Sequence, residues 1–164
     1  MSRLGGHVSV VTGGNRGIGM GLAEGPVLAG ADVAIWGRDE SRNEDARAHL
    51  GRRRAVRRER RAPGRRRLRR HARRTGQGRL AVRQCRVGGR GTAFVDTSLD
   101  EWRRVLAVDL DGAFLTLRAA ARHMVERGEG GALVAVSSLS AIHGAPRNQA
   151  YAAAKTALLA VMRG

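Results

Sequence analysis

Apolar positions along the chain fall into short continuous runs that alternate with stretches of helical spacing. Residues 7–12 (HVSVVT) read as a short buried strand. Residues 13–19 form a glycine-rich turn, and residues 18–28 carry helical spacing that Gly25-Pro26 interrupts early, which weakens that helix. Gly30-Ala31 ends it, and residues 32–36 (DVAIW) form a second strand, followed by a polar loop over 38–43. Periodicity of either kind is lost from about residue 50 to 86 and resumes at Val87. A helix starts at 99–104 and runs to about Glu126, with Val105, Val108, Leu115 and Met124 as its core stripe and Gly112 as an internal weak point. Residues 128–131 form a turn, 132–137 (ALVAVS) a buried strand, 140–148 a loop, and 149–162 a helix rich in Ala and Leu. Strands alternating with helices predict an α/β fold with a doubly wound, mostly parallel sheet.

Charge changes this picture at one place. The chain has 164 residues and a net charge of +17, the balance of a nucleic-acid binder. Yet residues 52–86 hold 17 Arg and one Glu, so the remainder is close to neutral. The basic set is 30 Arg against the single Lys155, and the insert contains no aromatic residue. Phosphate-contacting surfaces usually mix Lys with Arg and add aromatics, so a basic nucleic-acid-binding protein using residues 52–86 is the disfavoured alternative. The length fits one domain over 1–164 that can bury a core. The start MSRLGGHVSVVTGG has no basic-then-apolar leader, no run is long enough to span a bilayer, and the one cysteine, Cys85, has no partner for a disulfide. Together these predict a cytoplasmic protein.

The segment VVTGGNRGIG has a chemical reading. A strand delivers the chain to the carboxyl edge of the sheet, and glycines let the backbone turn tightly and approach a pyrophosphate. The following helix offers free N–H groups and the positive end of its dipole. The spacing is Gly13-x-x-x-Gly17-x-Gly19, not the common G-x-G-x-x-G. Alone it is no more than a tight connection; with the strand before and the helix after, it predicts nucleotide binding. The second strand ends in Trp36-Gly37-Arg38. An Arg there can accept a ribose 2′-phosphate, whereas a carboxylate binds the 2′-OH. With Arg16 in the turn, Arg38 favours NADP(H) over NAD(H); Asp39 confuses this reading, and two solvated surface arginines are the plainer alternative.

The other informative stretch is VSSLSAIHGAPRNQAYAAAK. Tyr151 and Lys155 lie four positions apart and share one helix face. A phenol alone is a poor acid–base catalyst at neutral pH, and an ammonium beside it stabilises the phenolate. Ser138 ends a strand thirteen residues before Tyr151, at the same edge, where its hydroxyl can polarise a carbonyl or hold an alcohol. Singly, each has a bland reading: a packing Tyr, a solvent-facing Lys, a capping Ser.

TGGNRGIG, the Ser137-Ser138 pair and YAAAK resemble the classical short-chain dehydrogenase/reductase family, over residues 1–50 and 87–164. The resemblance implies a Rossmann-like fold and hydride transfer between a nicotinamide and a small alcohol or carbonyl substrate. It implies Tyr151 as general acid–base, Lys155 binding the nicotinamide ribose and tuning Tyr151, and Ser138 orienting the substrate. Gly13, Asn15, Arg16, Gly17, Ile18, Gly19 and Arg38 would contact the dinucleotide, and no metal is implied. It also implies a homodimer or tetramer assembled through the helices around 105–126 and 151–162, with neither a membrane nor a nucleic acid as partner.

Four departures qualify the resemblance. Asp109, in VDLDG, stands where the family has an Asn that holds a kinked helix; the charge it adds near Lys155 bears on the tuning of Tyr151. The family's NNAG motif and its adenine-contacting Asp are absent, and both belong within 50–86. Residues 76–86 (GQGRLAVRQCR) can be encoded so that reading one base later gives GRVDSPFANAG, and residues 54–61 (RAVRRERR) so that it gives VRCDVSDE. We therefore read this stretch as frameshifted and expect it to be irregular or disordered; a genuine basic insertion is the alternative. Finally, family members continue past the position of Gly164, which implies a truncated domain with a sheet incomplete at the C-terminus. An inactive remnant is thus an alternative to an active oxidoreductase.

Overall fold

The computed structural model describes residues 4–51, 56–58, 78–83 and 87–164, with 56–58 and 78–83 described by their backbone. They gather in two compact units, Met1–Gln84 with Leu117–Val134, and Cys85–Thr116 with Ala135–Gly164; the sequence reading expects one domain.

The first unit is built on a sheet of order β3-β2-β1-β4-β5. Its strands are β1 (Val8–Thr12), β2 (Asp32–Trp36), β3 (Val56–Arg58), β4 (Gly78–Arg83) and β5 (Ala132–Ala135). β1 lies parallel to β2, with Val8 opposite Asp32 and Thr12 opposite Trp36, and parallel to β4 on its other side; β2 and β3 are also parallel. Parallel neighbours require crossovers: α1 (Gly17–Leu28) links β1 to β2, and α2 (Glu40–Gly51) links β2 to β3. This is the doubly wound, mostly parallel arrangement that the alternation predicts. All five residues of β1 are buried, as befits a central parallel strand. Val11, Val33 and Ile35 form one core with Ala23 and Val27 of α1 and Ala46 and Leu50 of α2.

Besides β3 and β4, three elements of this unit differ from expectation, and Ser140–His143 is helical where a loop is expected. α1 runs unbroken to Leu28 with Pro26 inside it; Val27 anchors its last turn in the core, and the Pro26 carbonyl accepts from the Ala31 N–H at 2.9 Å. The polar loop expected over 38–43 is largely the start of α2, whose buried positions are Asn43, Ala46 and Leu50. β5 is half-exposed where a buried strand is expected, consistent with its place at the end of the sheet order. Within the stretch expected to be irregular or disordered, Val56–Arg58 and Gly78–Arg83 are regular strands paired in the sheet; the other residues of 52–86, on which the frameshift reading falls, lie outside the described ones.

The second unit contains α3 (Leu99–Leu106), a π-helical turn over Ala107–Asp111, the start of α4 (Gly112–Arg127), the short α5 (Ser140–His143) and α6 (Gln149–Arg163). Ser98 caps α3 by accepting the Glu101 N–H at 3.2 Å. The π turn adds one residue to the helical path and moves the buried stripe by one position. Val105 is therefore followed in the interior by Asp109, Ala113, Leu117, Ala120 and Met124, and Leu115, expected in the core, is 49% exposed. Among the described residues no helix is long and apolar enough to cross a membrane.

Candidate functional site

In the first unit, β1 ends at Thr12 and the chain turns into α1. Gly13 and Gly17 have φ of 69° and 49°, a region that strains any residue with a Cβ. Arg16 occupies the N-cap of α1 without a side-chain cap, and the first turn has no acidic residue. The turn thus presents helix N–H groups and a positive dipole end to an anion. A dinucleotide pyrophosphate fits the residues present. Arg16, Gly17 and Ile18 are exposed, Gly19 is buried beneath them, and Asn15 and Gly13 are half-buried.

Arg38, just past β2, is exposed. Its neighbour Asp39 is engaged locally: its carboxylate accepts from the Ser41 hydroxyl at 2.9 Å and the Arg42 N–H at 3.2 Å, and pairs with the Arg42 guanidinium at 3.0 Å. The Arg42 N–H, then the Ser41 hydroxyl, hold this carboxyl below the usual carboxylate range. Asp39 thus caps α2.

In the second unit, α6 carries Tyr151 and Lys155 on one buried face, at 7% and 3% exposure. The Lys155 ammonium lies 5.6 Å from the centroid of the Tyr151 ring and donates to the Val136 carbonyl at 2.9 Å. Ser137, next along, donates to the Lys155 carbonyl at 2.9 Å, so α6 is tied twice to the segment that carries Ser138. The Ser138 hydroxyl accepts the Ser140 N–H at 3.2 Å. The Tyr151 ring packs with Val105, Ala150 and Trp102.

Asp109 sits in the π turn, 1% exposed, and accepts the Val87 N–H at 2.9 Å. Residues 87–90 are held further on. Asn148, the N-cap residue of α6, accepts the Gly89 N–H at 2.8 Å and does not cap its own helix. Glu101 of α3 accepts the Arg90 N–H at 3.0 Å, and Arg104 donates to the Gly88 carbonyl at 3.1 Å. Three acceptors from three elements therefore fix this loop, one of them three residues before Tyr151. None of Asn148, Glu101 and Arg104 is legible as a site residue in the sequence; the one signal is an Asn placed to begin a helix.

Glu101 is 8% exposed and receives two hydrogen bonds from Arg104, both at 2.8 Å. Arg104, followed by the Arg90 N–H, holds its carboxyl below the ordinary glutamate value, and the same contact raises Arg104. A folded value below the unfolded one means that this stabilisation is present at neutral pH and fades as pH falls below about 4.5. In thermal melts across acidification, the wild-type chain is expected to lose more stability than Glu101→Gln. Parallel curves for the two would show that Glu101 has no such role.

Residues 7–164 match the model of the short chain dehydrogenase family. The chain is 32% identical over 160 residues to the NADP-dependent (R)-specific alcohol dehydrogenase of Lentilactobacillus kefiri, covering 95% of this chain and 64% of that protein. It is 32% identical over 169 residues to L-rhamnose 1-dehydrogenase (NAD(P)(+)) of Sphingomonas sp. (strain SKA58), covering 99% of this chain and 66% of that one. A metagenomic short-chain oxidoreductase solved in complex with NADP matches the fold with a TM-score of 0.90 at 26% identity, over 99% of this chain and 76% of the other. The chain belongs to the short-chain dehydrogenase family, and it spans about two thirds of the length of these two curated relatives.

Proposed function

We propose that the protein is an NAD(P)-dependent oxidoreductase that interconverts a small alcohol and the corresponding carbonyl compound. The observation that carries this reading is the buried Tyr151–Lys155 pair on α6, with the lysine ammonium 5.6 Å from the ring centroid. A bound nicotinamide supplies the hydride in reduction and takes it in oxidation. Tyr151 gives its phenolic proton to the carbonyl oxygen during reduction and takes the alcohol proton in the reverse direction. Lys155, fixed by the Val136 carbonyl, places a positive charge beside the phenolate and binds the nicotinamide ribose. Ser138 orients the substrate oxygen. Asp109 holds the kinked path of the helix through its bond to Val87.

NADP(H) is the favoured cofactor, with Gly13, Asn15, Arg16, Gly17, Ile18 and Gly19 at the phosphates and Arg38 at the 2′-phosphate. Support comes from the engagement of Asp39 in capping α2 and from the NADP dependence named for the Lentilactobacillus relative. A cytoplasmic homodimer or tetramer is the proposed setting.

The test is NADPH oxidation by the chain as written, over a panel of small ketones and aldehydes, beside a version that carries the shifted reading over 50–86 and a family-length C-terminal part. Oxidation by the chain as written, faster with NADPH than with NADH, is the expected result. Oxidation by the repaired version alone would make this chain an inactive remnant, the alternative reading. A nucleotide sequence whose shifted frame lacks the ANAG and adenine-contact motifs would overturn the frameshift.

A further inference from the structure

The buried stripe of α2 begins with a polar residue. Asn43, Ala46 and Leu50 are its inward positions, and Asn43 is 7% exposed. A buried amide is costly unless its donor and acceptor are both used, and here both are. The Asn43 Oδ1 accepts from the Asn15 Nδ2 at 2.8 Å, and the Asn43 Nδ2 donates to the Gly37 carbonyl at 3.0 Å. The amide accepts through its oxygen and donates through its nitrogen, so this one side chain serves both partners.

Its two partners belong to the two segments that would grip the pyrophosphate and the neighbouring ribose 2′-phosphate of one ligand. Asn15 lies in the phosphate turn, and Gly37 precedes Arg38. These segments leave neighbouring strand ends, since Thr12 is paired with Trp36 and the Gly13 N–H donates to the Trp36 carbonyl at 2.7 Å. The fit is close: a Cβ on Gly37 would come within 2.2 Å of the Asn15 Nδ2 and 2.3 Å of the Asn43 Oδ1.

We propose that Asn43 is a positioning residue for cofactor choice: it braces the phosphate turn against the Gly37-Arg38 loop, so that Arg38 is held ready for a 2′-phosphate. This rests on the dinucleotide reading above. Bracing lowers the cost of ordering an exposed, flexible arginine on binding, so its loss falls mainly on the cofactor that carries the extra phosphate.

Asn43→Leu keeps the volume, suits the apolar stripe and removes both bonds. Direct fluorescence titration is expected to show NADPH affinity falling about tenfold and NADH affinity about twofold or less. Amide exchange of the ligand-free chain is expected to rise in both 13–19 and 37–39. Gly37→Ala, which removes no polar group and forces the two amides apart, is expected to reproduce both signatures. Equal losses for NADPH and NADH, or unchanged exchange in both segments, overturn the proposal. A wild-type chain that binds neither cofactor overturns the dinucleotide reading itself, and the exchange measurement then decides the brace separately.

Discussion

Replacing Tyr151 by phenylalanine is expected to lower kcat by roughly two to four orders of magnitude, with cofactor affinity and melting temperature close to those of the wild type. The packing supports this separation. The ring contributes to a buried group with Val105, Ala150 and Trp102, and phenylalanine keeps those contacts. The lysine ammonium near the ring also keeps its hydrogen bond to Val136. What is lost is the hydroxyl, the group on this face able to exchange a proton with a substrate oxygen beside a positive charge. The measurement is steady-state reduction of a ketone found active in the panel, with melting followed by circular dichroism. A loss of kcat below about tenfold would remove Tyr151 from the acid–base role, because general acid–base groups contribute at least about a hundredfold. A large fall in melting temperature would instead show that the hydroxyl supports the fold.

The same local logic explains what could be read from the sequence. β1, β2 and α6 are legible because their signals are continuous: short, mainly apolar strands and an Ala/Leu helix. The Tyr151–Lys155 relation is legible because four residues make one helical turn. α2 is not, because its buried stripe consists of an asparagine, an alanine and a single leucine, and the asparagine reads as loop. The stripe after Leu106 is mis-phased because a π turn gives no hydropathy signal: Leu115 fits a continuous helix, whereas Leu117 and Ala120 are the residues buried. The loop over 87–90 escapes for a different reason. Its fixing bonds run to Asp109, Asn148 and Glu101, and the Gly89–Asn148 bond spans 59 positions. Such pairings are set by tertiary packing and leave no periodic trace. Asp109 is legible as a place in a motif, but its bond to Val87 is not.

Lys155→Met separates catalysis from stability at the second buried group of the pair. Methionine has nearly the same length and volume, so packing is conserved while the charge is removed. The expected activity is lower by about a hundredfold or more in kcat/KM, because a phenolate forming at Tyr151 would lack its neighbouring cation. Stability is expected to be nearly unchanged, and magnitudes decide why. Holding an ammonium at 3% exposure costs several kcal/mol of lost hydration. The Val136 carbonyl, deprived of its donor, costs about 1–3 kcal/mol, and the bond from Ser137 survives because it uses the Lys155 backbone. Relief of the first cost is of the same order as the second together with the lysine's other contacts, the Tyr151 ring at 5.6 Å among them, so little net change is expected. A residue that adds little to stability and much to activity is one kept for chemistry, so lower activity with an undiminished melting temperature supports the catalytic assignment. A Lys155→Met chain that loses activity and melts well below the wild type would show instead that Lys155 serves to hold the Val136 strand end, and its place in the reaction would then have no support from this variant.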